Sequence, residues 1–113
     1  MKEIKAIIQP FMFGKVCEAL RQIDGLPGMT VSQVMGWGKS KAVNARGGVE
    51  ESGCTLAKKT KIEIVLPAHL VDQVVQALAQ AAHTGNVGDG KLFIYDVQEV
   101  VKIRTGQRGE EAI

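Results

Sequence analysis

The two halves of the chain repeat one pattern of hydrophobic and polar positions. From residue 4 to residue 8 every second side chain is apolar, which is typical of a half-buried strand, and Pro10 ends this alternation. Hydrophobic residues then recur at helical spacing over residues 13–23 and stop at a turn rich in glycine and proline. Residues 29–35 are rich in β-branched and long apolar side chains, which predicts a second strand.

The second half repeats the sequence of strand, proline, helix and strand. Alternation over residues 62–66 predicts a third strand, and Pro67 ends it. A hydrophobic stripe over residues 70–82 predicts an amphipathic helix. A turn with three glycines follows at 84–90, and residues 92–97 have the pattern of a fourth strand.

This order of elements predicts an α+β fold. We expect a ferredoxin-like double βαβ sandwich, in which two helices cover one face of a four-stranded antiparallel sheet. The length predicts a single domain over residues 1–113. Apolar side chains such as Phe93 and Tyr95 fall on the other face of the sheet, so we expect copies of the chain to associate as a homo-oligomer.

Two segments lack this periodicity. Residues 39–60, between the second and third strands, hold five lysine and arginine residues against two glutamates. Long loops in compact domains are usually functional or disordered, and this one could reach about 35 Å from the body. After the fourth strand we expect a short extended piece at 100–104 and a polar tail over 105–113, in which Glu110 and Glu111 fray.

Composition and charge exclude several classes of protein. The formal net charge is +2 and charged residues make up 23% of the chain, so no overall basic field would drive nucleic-acid binding. No apolar run approaches the roughly 18 residues of a membrane span, and we expect a cytoplasmic protein. The two cysteines match no zinc or redox spacing, and no metal site is predicted.

A local anion site is the chemistry that the residues suggest. The turn at 84–90 is followed by Lys91, and its glycines permit the positive φ angles of a backbone nest that binds phosphate. Lys102 and Arg104 would lie on one side of an extended segment and could add two cations. A plain turn would have the same composition, and the pattern is not that of a P-loop.

The chain resembles the PII signal-transduction family in motifs that span nearly its whole length, at residues 6–11, 28–31, 36–38, 61–65, 84–93 and 102–106. The resemblance implies a homotrimer with three clefts between subunits, each binding ATP or ADP, with AMP as a further candidate. It also implies that residues 39–60 form a T-loop that docks onto a membrane transporter or a metabolic enzyme.

The resemblance assigns the site residues in three groups. The phosphate-holding B-loop, here residues 84–91, is matched at Thr84, Gly85, Gly88, Asp89, Gly90 and Lys91. Arg104 matches a basic residue that a neighbouring subunit donates, and Lys102 stands where the family usually has arginine. The adenine and ribose pocket or the base of the T-loop is matched at Ile7, Gly28, Met29, Thr30, Gly36, Trp37, Gly38 and Val65.

Departures from the family pattern concern the T-loop and its co-ligands. Lys39 and Ser40 replace an arginine and a glutamine, and that glutamine helps to bind Mg²⁺ and 2-oxoglutarate in typical members. Lys59 matches a lysine that contacts the 2-oxoglutarate carboxylate. Ser52 takes the place of the tyrosine that is uridylylated in the family, which indicates a divergent branch. Such branches are linked to metal efflux or inorganic-carbon uptake, where bicarbonate can join the nucleotide.

Two rival functions share the predicted order of elements. An acylphosphatase-like enzyme needs an arginine after the first strand, and none is present there; nor does the chain show a spaced set of Ser, His and Asp. An RNA-recognition module stacks bases on aromatic residues of strands one and three, which here contain none. We therefore predict a regulator that is not an enzyme and does not bind nucleic acid.

Overall fold

The structure, a computed structural model, describes residues 1–38, 49–51 and 54–113. Its strands are β1 (Lys2–Ile8), β2 (Thr30–Gly36), β3 (Val49–Glu51), β4 (Cys54–Leu66) and β5 (Gly90–Asp96), and its α-helices are α1 (Phe13–Arg21) and α2 (Val71–Ala82). Short 3-10 turns lie at Pro10–Met12, Ala68–Leu70 and Glu110–Ala112. The main sheet has the strand order β2-β4-β1-β5, and all its pairs are antiparallel. The predicted α+β ferredoxin-like architecture is confirmed.

The core lies between the two helices and one face of the sheet. Alternate residues of the two central strands, β1 and β4, point into it, because successive side chains of a strand face opposite sides. The helices contribute the apolar stripes that their 3.6-residue period places on one side. Its largest fully buried apolar side chains are Ile4, Ile8, Val16, Ile62, Ile64, Leu66, Val74 and Leu78.

The opposite face of the sheet is open in the single chain. Lys5 lies between two aromatic rings of β5, with its ammonium 5.2 Å from the centre of the Phe93 ring and 5.0 Å from that of Tyr95. Hydrogen bonding to Tyr95 is the main cause that raises the pKa of Lys5. Phe93 and Tyr95 remain 40% and 42% exposed, so this face presents apolar surface as the alternation predicted.

Strand β4 begins earlier than the sequence predicts. Residues 54–60, which we assigned to the long loop, are strand: residues 57–60 pair with β2, and residues 54–56 pair with β3. The loop prediction is wrong there because Lys58 and Lys59 interrupt the apolar alternation, although a lysine can bury its aliphatic stem in a sheet. The rest of the predicted loop lies outside the described residues, apart from β3.

The segment after β5 also differs from its prediction. Residues 100–104 do not continue as an extended piece; the chain turns at 103–105, and Val101 forms a β-bridge with Arg108. The Lys102 amide donates to Gln107 at 2.8 Å, and the Gly106 amide donates to Lys102 at 2.7 Å. The terminus does not fray, because the turn Glu110–Ala112 buries Ala112 to 6% exposure.

No helix in the described part of the chain is long and apolar enough to cross a membrane.

Candidate functional site

The B-loop connects the end of α2 to the start of β5 and is closed by hydrogen bonds to one carboxylate. Asp89 accepts from the Thr84 amide at 2.7 Å and from the Gly85 amide at 2.9 Å, both through Oδ2. Its Oδ1 accepts from the Thr84 hydroxyl, whose oxygen in turn accepts from the Asn86 amide at 3.1 Å. The sequence therefore forms a compact ring over residues 84–89.

Those hydrogen bonds determine the protonation of the carboxylate. The Thr84 hydroxyl, followed by the Thr84 amide, lowers the pKa of Asp89 below its usual range, and the Gly85 amide adds to the effect. Hydrogen bonds to the charged form stabilise it. Asp89 is consequently an anion at neutral pH, with its charge committed to donors of the loop itself.

Glycine is required at the point where the B-loop enters the sheet. Gly90 has φ of +105° and pairs with Ile8 of β1. A Cβ atom on Gly90 would lie 1.7 Å from the carbonyl oxygen of Ile7, a distance at which backbone atoms would have to move apart. The close approach of β1 and the B-loop thus depends on this residue.

Lys59 joins the B-loop to the strand that leads to the predicted T-loop. Its Nζ donates to the carbonyl oxygen of Gly88 at 3.0 Å, and the residue is only 9% exposed. Gly36 of β2 allows the lysine stem to pass, because a Cβ there would lie 3.3 Å from Lys59 Cγ. The B-loop is therefore in direct contact with strand β4 of the same chain.

Several predicted site residues gather at this end of the sheet. Ile7 pairs with Lys91 of β5 and with Lys61 of β4, so it lies beside the end of the B-loop. Trp37 and Gly38 follow β2 at the same end, and the Trp37 side chain is 66% exposed. Lys39 was predicted to belong here and lies outside the described residues, as do Ser40 and Ser52. We call this group, with the B-loop, Gly36 and Lys59, the phosphate half-site, after the ligand that the sequence predicts for the B-loop.

The residues predicted for the adenine and ribose pocket or the base of the T-loop are divided between the two ends of the sheet: Ile7, Gly36, Trp37 and Gly38 lie beside the B-loop, and the others lie at the opposite end. Gly28, Met29, Thr30 and Val65 line one cavity of about 450 Å³. The strand register shows that the two groups lie at opposite ends of β1. Glu3 at the start of β1 pairs with Val65, whereas Ile7 near its end pairs with Lys91. We call this cavity the base half-site, because the sequence predicts that several of its residues bind adenine and ribose.

Sequence reasoning missed several residues that line the base half-site. They are Glu3, Pro27, Glu63, Val100, Ala112 and Ile113. The two glutamates alternate with buried residues of β1 and β4, so the period-two pattern could have placed them on the open face beside Val65. No local signal places the C-terminal residues there, because they reach the cavity through the turn at the end of the chain.

Lys102 and Arg104 come shortly after Val100, which lines the base half-site, so they belong to the end of the sheet that is remote from the B-loop of their own chain. Strand β5 leaves the B-loop at Gly90 and ends at Asp96, a path of about 20 Å, and Val97 then bonds to Met1. Arg104 is exposed and Lys102 is partly buried in the turn that follows. The structure therefore gathers the predicted site residues in two half-sites, and a single chain does not join them.

Within the described residues, no cluster of three or more His, Cys, Asp or Glu side chains is arranged to hold a metal ion.

Comparison with known proteins shows that the chain is similar to proteins of one family over its full length. The family model of the nitrogen regulatory protein P-II matches residues 1–107. The chain is 44% identical to the nitrogen regulatory protein P-II of Azospirillum brasilense and 44% identical to that of Rhodospirillum rubrum. It is 43% identical to the nitrogen regulatory protein P-II 1 of Escherichia coli strain K12. Each of these alignments covers 113 residues, 100% of both chains.

Proposed function

Because the chain belongs to the P-II family of nitrogen regulatory proteins, we propose that it binds an adenine nucleotide between the subunits of a homotrimer. The family consists of regulators of signal transduction, and the chain is not an enzyme. The bound nucleotide sets the conformation of the T-loop, which docks onto a partner. The ligands are ATP and ADP, with AMP as a further candidate.

The separation of the two half-sites is the observation that carries this proposal. Each chain holds a phosphate half-site at one end of its sheet and a base half-site at the other. One complete site then requires two copies, and a closed ring of copies uses every half-site once. The apolar surface of Phe93 and Tyr95 supplies a face on which copies can pack.

Each half-site has a distinct part in binding the nucleotide. Backbone amides of the B-loop and the ammonium of Lys91 hold the phosphates, because a glycine-rich turn followed by a cation suits an anion. Gly28, Met29, Thr30 and Val65 hold the adenine and ribose. Lys102 and Arg104 of a neighbouring copy neutralise further phosphate charge.

The contact between Lys59 and Gly88 gives a route from the phosphates to the T-loop. An additional γ-phosphate brings charge beside a buried ammonium, which favours a different position of Lys59 and of the strand that carries it. The ligand thereby shifts the population of loop conformations, and the partner binds only some of them.

The partner onto which the T-loop docks is a membrane transporter or a cytoplasmic metabolic enzyme. The names of the relatives favour nitrogen metabolism, and the replaced tyrosine leaves inorganic-carbon and metal homeostasis as alternatives. Lys59 matches the lysine that contacts 2-oxoglutarate, but Ser40 is shorter than the glutamine it replaces, which disfavours 2-oxoglutarate as a co-ligand and leaves bicarbonate as the alternative. Mg²⁺ would need the bound phosphates as its principal ligands, since oxygen atoms are what this cation prefers.

Isothermal titration calorimetry with ATP, ADP and AMP, each with and without 2-oxoglutarate or bicarbonate, tests the proposal. We expect ATP or ADP to bind, and Lys91→Ala to weaken that binding about tenfold or more through the loss of a charged contact. The trimer should persist in this variant. Lys15→Ala, which removes an exposed lysine of α1, is the matched control and should leave affinity unchanged.

Two results would count against the proposal. If no adenine nucleotide binds at millimolar concentration, the chain is not a sensor of this kind. If Lys91→Ala binds ATP as tightly as the unchanged protein, Lys91 does not contact the phosphates.

A further inference from the structure

The B-loop contains a carboxylate in a place where an anionic ligand is proposed to bind. A free carboxylate beside phosphates would repel them, since like charges in a partly desolvated site disfavour each other. The family resemblance counts Asp89 among the residues that bind the nucleotide. Its hydrogen bonds indicate a different role.

Both oxygens of Asp89 are engaged within the loop. Oδ2 accepts from two consecutive amides, those of Thr84 and Gly85, and Oδ1 accepts from the Thr84 hydroxyl. These donors all lie at the start of the loop, four or five residues before Asp89. The carboxylate therefore ties the two ends of the loop together.

We propose that Asp89 is a positioning residue whose carboxylate closes the B-loop into a ring before any nucleotide arrives and makes no contact with the phosphates. This inference rests on the proposed function of the loop. The ring fixes residues 84–89, so the backbone donors of the turn need no further ordering when the ligand binds. Preorganisation of this kind raises affinity because less conformational entropy is lost on binding.

Thr84 is the second residue whose side chain closes the ring. Its hydroxyl donates to Asp89 while its oxygen accepts from the Asn86 amide, so one side chain connects both sides of the turn. Serine can make both bonds, whereas valine has nearly the same shape and can make neither. The pair Thr84→Ser and Thr84→Val therefore separates hydrogen bonding from shape.

The charge of Asp89 can be separated from its geometry in the same way. In Asp89→Asn the amide oxygen can still accept from the Thr84 and Gly85 amides, although without the strength of a charged acceptor. Asp89→Ala removes every one of these bonds. If Asp89 positions the loop, ATP binds most tightly with Asp at position 89, less tightly with Asn and least tightly with Ala. If its charge repels the phosphates, the Asn variant binds ATP more tightly than the unchanged protein.

The experiment compares ATP with adenosine by calorimetry for the unchanged protein and these four variants. We expect Asp89→Ala and Thr84→Val to weaken ATP binding about tenfold to a hundredfold, the loss that corresponds to a charged hydrogen bond. Thr84→Ser should retain affinity within about threefold. Adenosine affinity should stay constant throughout, which general destabilisation of the fold would not produce.

Amide hydrogen exchange in the nucleotide-free protein supplies a second measurement. Closure by Asp89 predicts that the Gly85 amide exchanges at least about tenfold faster in Asp89→Ala than in the unchanged chain. Equal exchange rates would overturn the ring. Tighter ATP binding by Asp89→Asn would overturn the positioning role and show that the carboxylate repels the phosphates. If the variants lost affinity for ATP and for adenosine equally, the positioning role would also be overturned, and Asp89 would have a general structural role.

The two proposals fail in different ways. If the unchanged protein binds neither ATP nor ADP, the proposed function is lost, and the exchange rates still decide whether Asp89 closes the loop. If the unchanged protein binds ATP and Asp89→Ala binds it equally well, only the role of Asp89 is lost.

Discussion

At the scale of single residues, lysine and arginine differ as phosphate ligands, and Lys102 makes the difference measurable. A lysine ammonium is a point charge, whereas a guanidinium can donate two parallel bonds to one phosphate. We expect Lys102→Arg to tighten ATP binding about threefold to tenfold and to leave adenosine binding unchanged. Calorimetry measures both affinities, and Lys15→Arg on the exposed side of α1 is the control.

An unchanged ATP affinity in Lys102→Arg would show that residue 102 does not reach the phosphates. Weaker binding would show that the site there is too confined for the larger head group.

At this scale the sequence predicted which residues belong to the B-loop, but it did not predict the hydrogen bonds that they form. The turn at 84–91 was recognisable because its glycines and Lys91 are adjacent in the chain. The hydrogen bonds of Asp89 to Thr84 and Gly85 were not predicted, since composition does not say which way a carboxylate points. Contact of Lys59 with Gly88 joins residues 29 positions apart, and no local pattern encodes it.

At the scale of elements, the pairing of β1 with β5 depends on one missing Cβ. We expect Gly90→Ala to lower the free energy of unfolding by about 2 kcal/mol or more, because the new atom would meet the Ile7 carbonyl and because φ there is positive. Gly14→Ala in α1 is the matched control: a Cβ there meets nothing within 4 Å, and alanine favours helix by about 0.5 kcal/mol or more.

Denaturant unfolding followed by circular dichroism measures both variants. Equal stability of Gly90→Ala and the unchanged protein would mean that β5 can move away from β1 without cost, and the pairing of Gly90 with Ile8 would be wrong.

Helices and central strands were predictable because their hydrophobic periods are regular. Both helices have apolar stripes, and every second residue of 4–8 and of 62–66 is apolar. The first half of β4 was missed, since Lys58 and Lys59 look like loop residues until their pairing with β2 is known. Burial of a lysine stem is a tertiary effect that a single-sequence pattern does not carry.

At the scale of the whole molecule, the exposed apolar surface is where we expect partner copies to pack. Ile103 is 100% exposed and Ile94 is 51% exposed in the single chain. We expect analytical ultracentrifugation to give a species of about three times 12.1 kDa. Ile103→Asp should reduce the assembled fraction, because a charge would replace an apolar contact, whereas Gln73→Asp on the exposed side of α2 should not.

A chain that stays monomeric at all concentrations, with or without ATP, would leave the two half-sites apart and would contradict the proposed cleft. Assembly that is unaffected by Ile103→Asp would place the contact surface elsewhere.

The global arrangement was the least predictable part. The sequence and its family resemblance led to the α+β sandwich and to part of the residues of each half-site, whereas six residues that line the base half-site were missed. The contribution of Ala112 and Ile113 to the base half-site follows from the turn at 103–105, which two hydrogen bonds of Lys102 and Gly106 stabilise. The turn at 103–105 depends on hydrogen bonds between backbone groups, so the pattern of apolar and polar side chains does not predict it.

The length of β4 has a mechanical consequence. The strand is anchored in the core at its far end by Ile62, Ile64 and Leu66, and its near end continues past Lys59 to Cys54. Five residues of strand span roughly 17 Å, so a tilt of about 10° pivoting on Lys59 would displace Cys54 by roughly 3 Å. A small change of tilt where Lys59 contacts Gly88 would therefore become a displacement of several ångström at Cys54.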